Sequence, residues 1–233
     1  MRKMLTVWLT NKCNYFCEYC AHAKWLHEID FVDRDEHLRV SNKNLLPWLE
    51  KRIDPREWTL HLTGGEPSLY PEIDGLMSWL GERGYEGVVE TNGSNPIPKT
   101  KGFVRAAAWH MGKPVPRWRD AIKIIKNGKD NWAEKASWCG EVGVPFFLTE
   151  LNRDYLNGKG EYAKNAGLPK VKGFSHLSYC NAFGDLTACY NSPVDKGVSI
   201  HNMSEPPLIE LAGVCADCVN PVSVEHVLGM RLG

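Results

Sequence analysis

Three cysteines in the first part of the chain have a spacing suited to metal chemistry. Cys13, Cys17 and Cys20 follow the pattern C-x3-C-x2-C, just after a strand-like run at 5–9. An electron-transfer iron–sulfur cluster takes four thiolates, and a structural zinc takes a closed shell of four ligands. No fourth Cys or His lies at ligand spacing unless His22 is counted, and His22 follows Cys20 too closely to share a tetrahedron easily. The spacing therefore predicts a cluster held at three corners, with its fourth iron open.

A glycine-rich segment follows a second strand-like run. Gly64, Gly65, Glu66 and Pro67 come directly after the run at 58–62. The two glycines allow backbone groups to approach a ligand closely, and the proline fixes the direction in which the chain leaves the strand. A Gly-Gly turn between a strand and a helix is the common alternative. Because the segment follows the cysteines in this order, we interpret it as part of the same ligand site.

The aromatic residue inside the cysteine motif completes a known signature. With Tyr19 before Cys20, the motif resembles the CxxxCxΦC signature of the radical S-adenosylmethionine (radical SAM) superfamily. In that superfamily a Gly-Gly-Glu-Pro segment after the second strand binds the amino group of S-adenosylmethionine (SAM). The sequence Val-Val-Glu-Thr-Asn-Gly at 88–93 resembles the end of the family's third strand, although Asn-Gly alone is only a turn signal.

The resemblance implies the cofactors and their contacts. SAM would chelate the open iron of a 4Fe-4S cluster, and one electron would break a carbon–sulfur bond to release a 5′-deoxyadenosyl radical that abstracts hydrogen from a substrate carbon. The protein orients the substrate and excludes water. A reductase or a flavodoxin-like protein would supply the electron. The implied contacts are Cys13, Cys17 and Cys20 with the cluster, Tyr19 with adenine, Gly64, Gly65 and Glu66 with the methionyl group, and Asn92 near the ligand.

Four further cysteines lie after residue 176. Cys180, Cys189, Cys215 and Cys218 follow the pattern C-x8-C-x25-C-x2-C, and the first two flank a predicted hairpin. Thiolate ligands suit both a structural zinc and an iron–sulfur centre. The arrangement resembles the Twitch subdomain, the shortened relative of the SPASM domain, which carries one auxiliary 4Fe-4S cluster. That resemblance favours a second cluster over zinc. Cys139, on a predicted helix, is interpreted as a small hydrophobic residue.

Strand and helix patterns alternate around these motifs. Strands are predicted at 4–10, 58–63, 87–91, 103–109, 121–126 and 144–150, and helices most clearly at Asn44–Arg52, Ile73–Arg83 and Asn131–Glu141. Such alternation favours βαβ units and a parallel sheet. Together with the resemblance, it predicts an α/β fold: a partial (βα)6 TIM-like barrel at 1–175, followed by a small cysteine-rich β-hairpin and helix subdomain at 176–233.

Composition is that of an ordinary globular domain. Hydrophobic residues make up 43% of the 233 residues, enough for a packed core, and charged residues make up 24%. No run of about 18 apolar residues could span a bilayer and no signal peptide is recognisable. We therefore expect no membrane association and a cytoplasmic protein, in the host cytoplasm if the source is viral. Clustered cysteines in such a protein favour metal over disulfides.

A locally basic stretch gives the main indication of a substrate. From Lys99 to Lys129 the chain has nine basic residues against one acid, Asp120, with aromatic residues interleaved, although its net charge is zero. This mixture suits a nucleic acid, whereas a solvated charged face is the usual alternative. His110 and Glu150, at the ends of predicted strands, are open to either a role near SAM or substrate or a satisfied surface position.

These features lead to three hypotheses about function. The favoured one, on the basic stretch and the small size, is modification or isomerase-type rearrangement of a nucleic-acid base. The compact, Trp-rich chain resembles phage-type enzymes, which suggests a hypermodified thymine in phage DNA. The second is a Twitch-type peptide maturase or small-molecule dehydrogenase, although the twelve residues before Cys13 leave no room for a leader-binding domain. The third is a non-catalytic zinc-binding module, against which the intact Gly64–Pro67 segment argues.

Overall fold

Strands and helices alternate along the chain. The structure is a computed structural model, and it describes residues 3–10, 12–15, 17, 41–126, 130–150, 177–180, 185–187 and 198–199. Within these residues the strands are β1 Lys3–Trp8, β2 Trp58–Thr63, β3 Gly87–Thr91, β4 Phe103–Trp109, β5 Ala121–Lys126, β6 Phe146–Glu150, β7 Leu177–Cys180, β8 Asp185–Thr187 and β9 Val198–Ser199. The helices are α1 Asn42–Arg52, α2 Ile73–Glu82 and α3 Trp132–Glu141, with a 3-10 helix at Pro67–Leu69. None of these helices has the length and apolar character of a membrane span.

Six parallel strands form most of one sheet. Its order is β6-β5-β4-β3-β2-β1-β7-β8-β9, with β1 to β6 mutually parallel and β7 parallel to β1. Strand β8 is antiparallel to both β7 and β9, so β7 and β8 form the predicted hairpin. The predicted α/β fold with a partial TIM-like barrel is confirmed, and each of the six predicted strands lies within a few residues of an observed one. The predicted boundary at 175/176 and the helix beyond it lie outside the described residues.

One face of the sheet is covered by the helices and is aliphatic. This covered face buries Leu5, Val7, Leu60, Leu62 and Val89 against Leu45 and Leu49 of α1 and Leu76 and Leu80 of α2. Ile122 and Ile124 of β5 pack in the same way with Cys139 of α3. All of these side chains are fully buried, and a buried aliphatic side chain contributes about 1.5–3 kcal/mol. Cys139 is thus a core residue, and burial raises the pKa of its thiol.

The opposite face of the same strands carries polar residues. Because side chains alternate along a strand, the pairing register places Thr6, His61, Glu90 and Lys123 together on this open face. An apolar cluster shares the face and consists of Met4, Val88, Val104, Ala106, Ala121 and Phe147. The four polar residues, called here the polar layer, therefore lie beside buried apolar side chains rather than in open solvent.

Candidate active site

The cysteine loop begins after β1, at the sheet edge where the carboxyl ends of β1 to β6 meet. Cys13 and Cys17 are both half-buried. The backbone N–H of Tyr15 donates to Sγ of Cys13 at 3.4 Å, and Nδ1 of His110 lies 3.3 Å from Sγ of Cys17. Ligand sites of parallel α/β sheets form at this edge, so the loop lies where a cofactor site is expected.

The glycine segment after β2 runs directly against the cysteine loop. Gly64 has a φ of +152°, and a Cβ there would lie 2.6 Å from the backbone oxygen of Thr10. The N–H of Gly65 donates to the same oxygen at 2.7 Å, and the N–H of Glu66 donates to the oxygen of Lys12 at 2.6 Å. Only glycine fits at Gly64 without displacing this backbone. The two segments predicted to share a site are therefore in direct contact.

Glu66 joins the glycine segment to the end of β3. Its side chain is fully buried. Oε1 accepts hydrogen bonds from the Thr91 hydroxyl at 2.6 Å and from the Ser68 N–H at 3.0 Å, and Oε2 accepts from the Asn92 N–H at 2.6 Å. A buried carboxylate requires such donors, so Glu66 holds these chain segments in one arrangement. Its contact with a methionyl group stays a prediction.

Two asparagines connect the end of β3 to the cysteine loop. Nδ2 of Asn92 donates to Oδ1 of Asn14 at 2.7 Å, and Nδ2 of Asn14 donates to Oγ of Ser94 at 2.8 Å. Asn14 lies between Cys13 and Cys17, so these bonds help to set the position of the loop. The structure thus brings the three predicted segments together at one edge, although ligand contact by Asn92 stays a prediction.

Several curated proteins resemble the chain in sequence. No protein-family model matches the chain. GTP 3',8-cyclase of Helicobacter pylori is 32% identical over 174 residues, which cover 70% of this chain and 53% of that protein. A 7-carboxy-7-deazaguanine synthase of Bacteroides thetaiotaomicron is 29% identical over 118 residues, covering 51% and 57%. An S-adenosylmethionine-dependent nucleotide dehydratase of a Thermoplasmatales archaeon is 23% identical over 185 residues, covering 75% and 62%. The chain spans about half the length of the curated relatives it matches first.

A solved structure shares the fold. Streptococcus suis SuiB bound to S-adenosylmethionine superposes with a TM-score of 0.58 at 13% identity, over 89% of this chain and 66% of SuiB. This likeness, the sequence relatives and the joined cysteine and glycine segments agree. The chain belongs to the radical SAM superfamily of enzymes. Membership implies SAM and a 4Fe-4S cluster as cofactors.

The residues of this radical SAM site fit an iron–sulfur cluster. Cys13 and Cys17 supply thiols at the expected edge, and a backbone N–H already points to the sulfur of Cys13. Donors of this kind stabilise the thiolates of a cluster. Cys20, the third predicted ligand, and Tyr19, predicted to contact adenine, lie outside the described residues. Within the described ranges no group of three or more side chains has the arrangement of a metal site, so the ligand set stays a prediction.

His110 lies beside the cysteine loop of the radical SAM site. Its ring meets the ring of Tyr15 edge-on, with 5.5 Å between the centroids. Burial, aided by the charges of Lys123, Lys135 and Lys113, lowers the pKa of His110 to about 4. The imidazole is therefore neutral at neutral pH. Of the two interpretations open for this residue, its position favours a role near the cofactors.

The polar layer contains a buried ion pair that sequence reasoning missed. Nζ of Lys123 donates to the two carboxylate oxygens of Glu90 at 3.0 and 2.9 Å. Nε2 of His61 lies 3.6 Å from Glu90, and its Nδ1 lies 3.3 Å from the Thr6 hydroxyl. Burial opposes ionisation of Glu90, but the charge of Lys123 and the contact with His61 outweigh it and hold the pKa of Glu90 well below its usual range. The sequence signal that could have revealed the pair is Lys123, a charged residue inside the otherwise aliphatic strand β5.

The basic residues of the 99–129 stretch are dispersed over the fold. Lys99 and Lys101 precede β4 and so lie at the sheet edge opposite the cysteine loop. Arg105 forms an ion pair with Asp120 at 3.0 Å. Of the basic residues between β4 and β5, Lys113 follows the end of β4 on the side of the cofactor site, whereas Arg117 and Arg119 come just before β5. Outside the described residues lie the side chains of Lys126 and Glu150 and the whole of Lys129.

Proposed function

We propose that this protein cleaves SAM at a 4Fe-4S cluster held by Cys13, Cys17 and Cys20 and uses the resulting radical to modify a nucleotide or nucleobase. The observation that carries the proposal is the joining of the cysteine loop, the glycine segment and the end of β3 at one sheet edge. When bound, the cluster would supply one electron to SAM, for the reductive cleavage of a carbon–sulfur bond. A reductase or a flavodoxin-like protein is proposed as the electron source.

The chain's own residues position this chemistry. Glu66 fixes the end of β3, and Asn14 ties the cysteine loop to it. The cofactor contacts proposed for Gly64, Gly65 and Asn92 therefore fall in one small region. Glu90, the polar-layer residue of β3, comes just before this region. The open face can therefore present hydrogen-bonding groups to a substrate held beside the cofactors.

The matched relatives support a nucleotide-related substrate. Their names specify GTP, a deazaguanine and a nucleotide. A free nucleotide is therefore the substrate class that we propose first. A base within nucleic acid, such as a hypermodified thymine of phage DNA in an isomerase-type reaction, is the finer alternative. Trp118, which is 42% exposed beside Arg117, supports that alternative because an exposed aromatic ring can stack on a base.

Anaerobic reconstitution with iron and sulfide tests the proposed function. The loaded protein is reduced with dithionite and given SAM with GTP, other nucleotides, duplex DNA or a peptide pool, and 5′-deoxyadenosine is measured by mass spectrometry. Formation that rises with a free nucleotide supports the proposal. Formation that rises only with DNA selects the base-modifying alternative, and formation that rises only with peptides moves the substrate to the maturase class. Absence of cleavage by iron-loaded protein overturns the proposed activity.

We also propose a second 4Fe-4S cluster, held by Cys180, Cys189, Cys215 and Cys218. Cys180 ends β7 and pairs in register with Val7 of β1, one strand from the start of the cysteine loop. The other three cysteines lie outside the described residues. About eight irons per chain would support two clusters, whereas about four irons with one zinc would support a structural zinc site. Cys215→Ala should retain some uncoupled SAM cleavage, and full coupled turnover in that variant would count against a role for this site.

A further inference from the structure

His110 lies against the sulfur of one proposed cluster ligand. Its Nδ1 is 3.3 Å from Sγ of Cys17, although the two residues are 93 positions apart in the sequence. Strand β4, which ends just before His110, is separated from β1 in the sheet by β2 and β3. The contact therefore depends on the loops at the cofactor edge, where the cysteine loop reaches across to the end of β4.

Several contacts hold His110 in this position. Its ring packs edge-on against Tyr15. Its carbonyl accepts a hydrogen bond from the Lys113 N–H at 3.2 Å, and the ammonium group of Lys113 lies 4.6 Å from the centre of the Tyr15 ring. Nζ of Lys135 donates to the carbonyl of Trp109 at 2.9 Å. Contacts with the surrounding chain thus position the imidazole.

We propose that His110 donates a hydrogen bond from Nδ1 to the sulfur of Cys17 and thereby raises the reduction potential of the cluster. This inference rests on the proposed function. A cysteine that ligates iron is a thiolate without a proton, so the ring nitrogen has to be the donor. Hydrogen bonds to cluster sulfurs stabilise the more negative, reduced state more than the oxidised state. His110 is therefore a positioning residue that acts through Cys17.

Two substitutions separate the hydrogen bond from the packing of the ring. His110→Phe keeps an aromatic ring against Tyr15 but has no N–H, whereas His110→Asn loses the ring but places an amide N–H near the former Nδ1. The reconstituted proteins undergo redox titration without SAM. Visible absorption and electron paramagnetic resonance follow the midpoint potential of the cluster held by the cysteine loop. We expect His110→Phe to shift to a more negative potential, by up to about tenfold in the reduction equilibrium or about 59 mV for one electron. His110→Asn should stay near the wild-type potential.

Controls make each outcome decisive. His61→Phe, a histidine of the polar layer on β2, should leave the potential unchanged. The reverse order, with His110→Asn shifted and His110→Phe like the wild type, indicates a packing role and overturns the inference. Unchanged potentials in both variants at full iron content overturn the inference and leave the proposed function intact. Failure of the wild-type protein to take up a cluster overturns both. If His110→Phe does not reconstitute, His110→Leu takes its place in the titration.

Discussion

The two faces of the parallel sheet are built from alternate residues of the same strands, yet their chemistry is opposite. On the covered face Leu60 and Val89 have no exposed surface. On the open face the side chains of His61, Glu90 and Lys123 keep 14%, 18% and 15% of their surface exposed. The aliphatic burial that stabilises the sheet is thus complete on one face, while the other face holds charged groups next to the cofactor edge.

The ion pair of the open face is not explained by stability alone. Desolvation of two charges offsets much of their attraction, so a buried pair contributes little more than an apolar pair of the same size. We therefore expect substitutions of Glu90 and Lys123 to affect mainly substrate-dependent turnover. Substitutions on the covered face should affect mainly the free energy of unfolding. Paired substitutions on the two sides of the sheet test this division.

The largest effect on activity is expected from substitution of Cys17, with Cys139 as the comparison cysteine in different surroundings. Cys17→Ala removes a proposed cluster ligand, so SAM cleavage should fall to background while the free energy of unfolding changes little. Cys139→Ala, on helix α3 beneath the covered face, should leave SAM cleavage intact and lower the free energy of unfolding by about 1 kcal/mol. Mass spectrometry of 5′-deoxyadenosine and urea unfolding measure the two effects. Wild-type cleavage by Cys17→Ala would contradict the cluster assignment.

A large loss of stability is expected from truncation on the covered face. Leu60 is fully buried on β2, so Leu60→Ala should lower the free energy of unfolding by about 2–5 kcal/mol through lost contacts and a residual cavity. Leu148→Ala is the matched control, because Leu148 is 43% exposed on β6 and its loss should change stability by less than about 0.5 kcal/mol. Urea unfolding measures both losses. Equal losses would mean that the burial of the leucine does not determine the cost of its truncation.

The main elements of the sheet were predictable from sequence because each is specified locally. The six parallel strands are short apolar runs ended by polar or turn residues, and helices α2 and α3 end just before the glycines Gly84 and Gly143. The grouping of basic residues at 99–129 was less informative. Strand β4 lies within that stretch, and at about 3.3 Å per residue it separates Lys101 from Lys113 by roughly 20 Å or more. Adjacency in sequence therefore did not imply a common surface.

The site was predictable in its parts but not in its connections. The cysteine and glycine segments are recognisable from residue type and spacing alone. The role of Glu66 depends on donors that β3 supplies, and the Glu90–Lys123 pair joins residues 33 positions apart. That pair also requires small side chains on the intervening strand, where Ala106 is in register with Glu90 and Ala108 with Lys123. Such conditions depend on strand order, which local patterns do not specify.

A moderate effect is expected from breaking the ion pair of the open face. Lys123→Met leaves Glu90 without its charge partner, and because both side chains keep some access to water we expect a loss of about 1–3 kcal/mol in the free energy of unfolding. Combining it with Glu90→Leu should restore most of the stability measured by urea unfolding. We expect the double variant still to lose substrate-stimulated formation of 5′-deoxyadenosine. Wild-type turnover by that variant would argue against a substrate role for the pair.

The pH dependence of the same pair has a definite sign. The pKa of Glu90 in the native protein is lower than its ordinary value of 4.5, so the unfolded chain binds the proton more readily. The stabilisation is therefore complete above pH 4.5 and is lost as the pH falls below that value. Urea unfolding at about pH 7 and about pH 4 should show a larger decrease for the wild type than for Glu90→Gln. An identical decrease in both proteins would show that Glu90 does not titrate in this way.

The smallest effect on stability is expected from Tyr85, whose hydroxyl lies among the buried side chains of the covered face. The hydroxyl of Tyr85 lies 3.1 Å from the carbonyl oxygen of Leu49, which also accepts the Ile53 N–H, and 2.9 Å from the carbonyl oxygen of Ile53 at the end of α1. Tyr85→Phe removes this donor and should lower the free energy of unfolding by about 1 kcal/mol in urea.

Burial, with the charge of Glu50, raises the pKa of Tyr85 from 10.0 to about 12, so folding favours the protonated hydroxyl. The stabilisation is complete below pH 10 and is lost as the pH rises toward about 12. The difference in stability between the wild type and Tyr85→Phe should therefore shrink between about pH 10 and about pH 12. A difference that stays constant over this interval would mean that the hydroxyl is no better shielded than in the unfolded chain. In that case the side chains that surround Tyr85 on the covered face would exclude less water than their apolar character indicates.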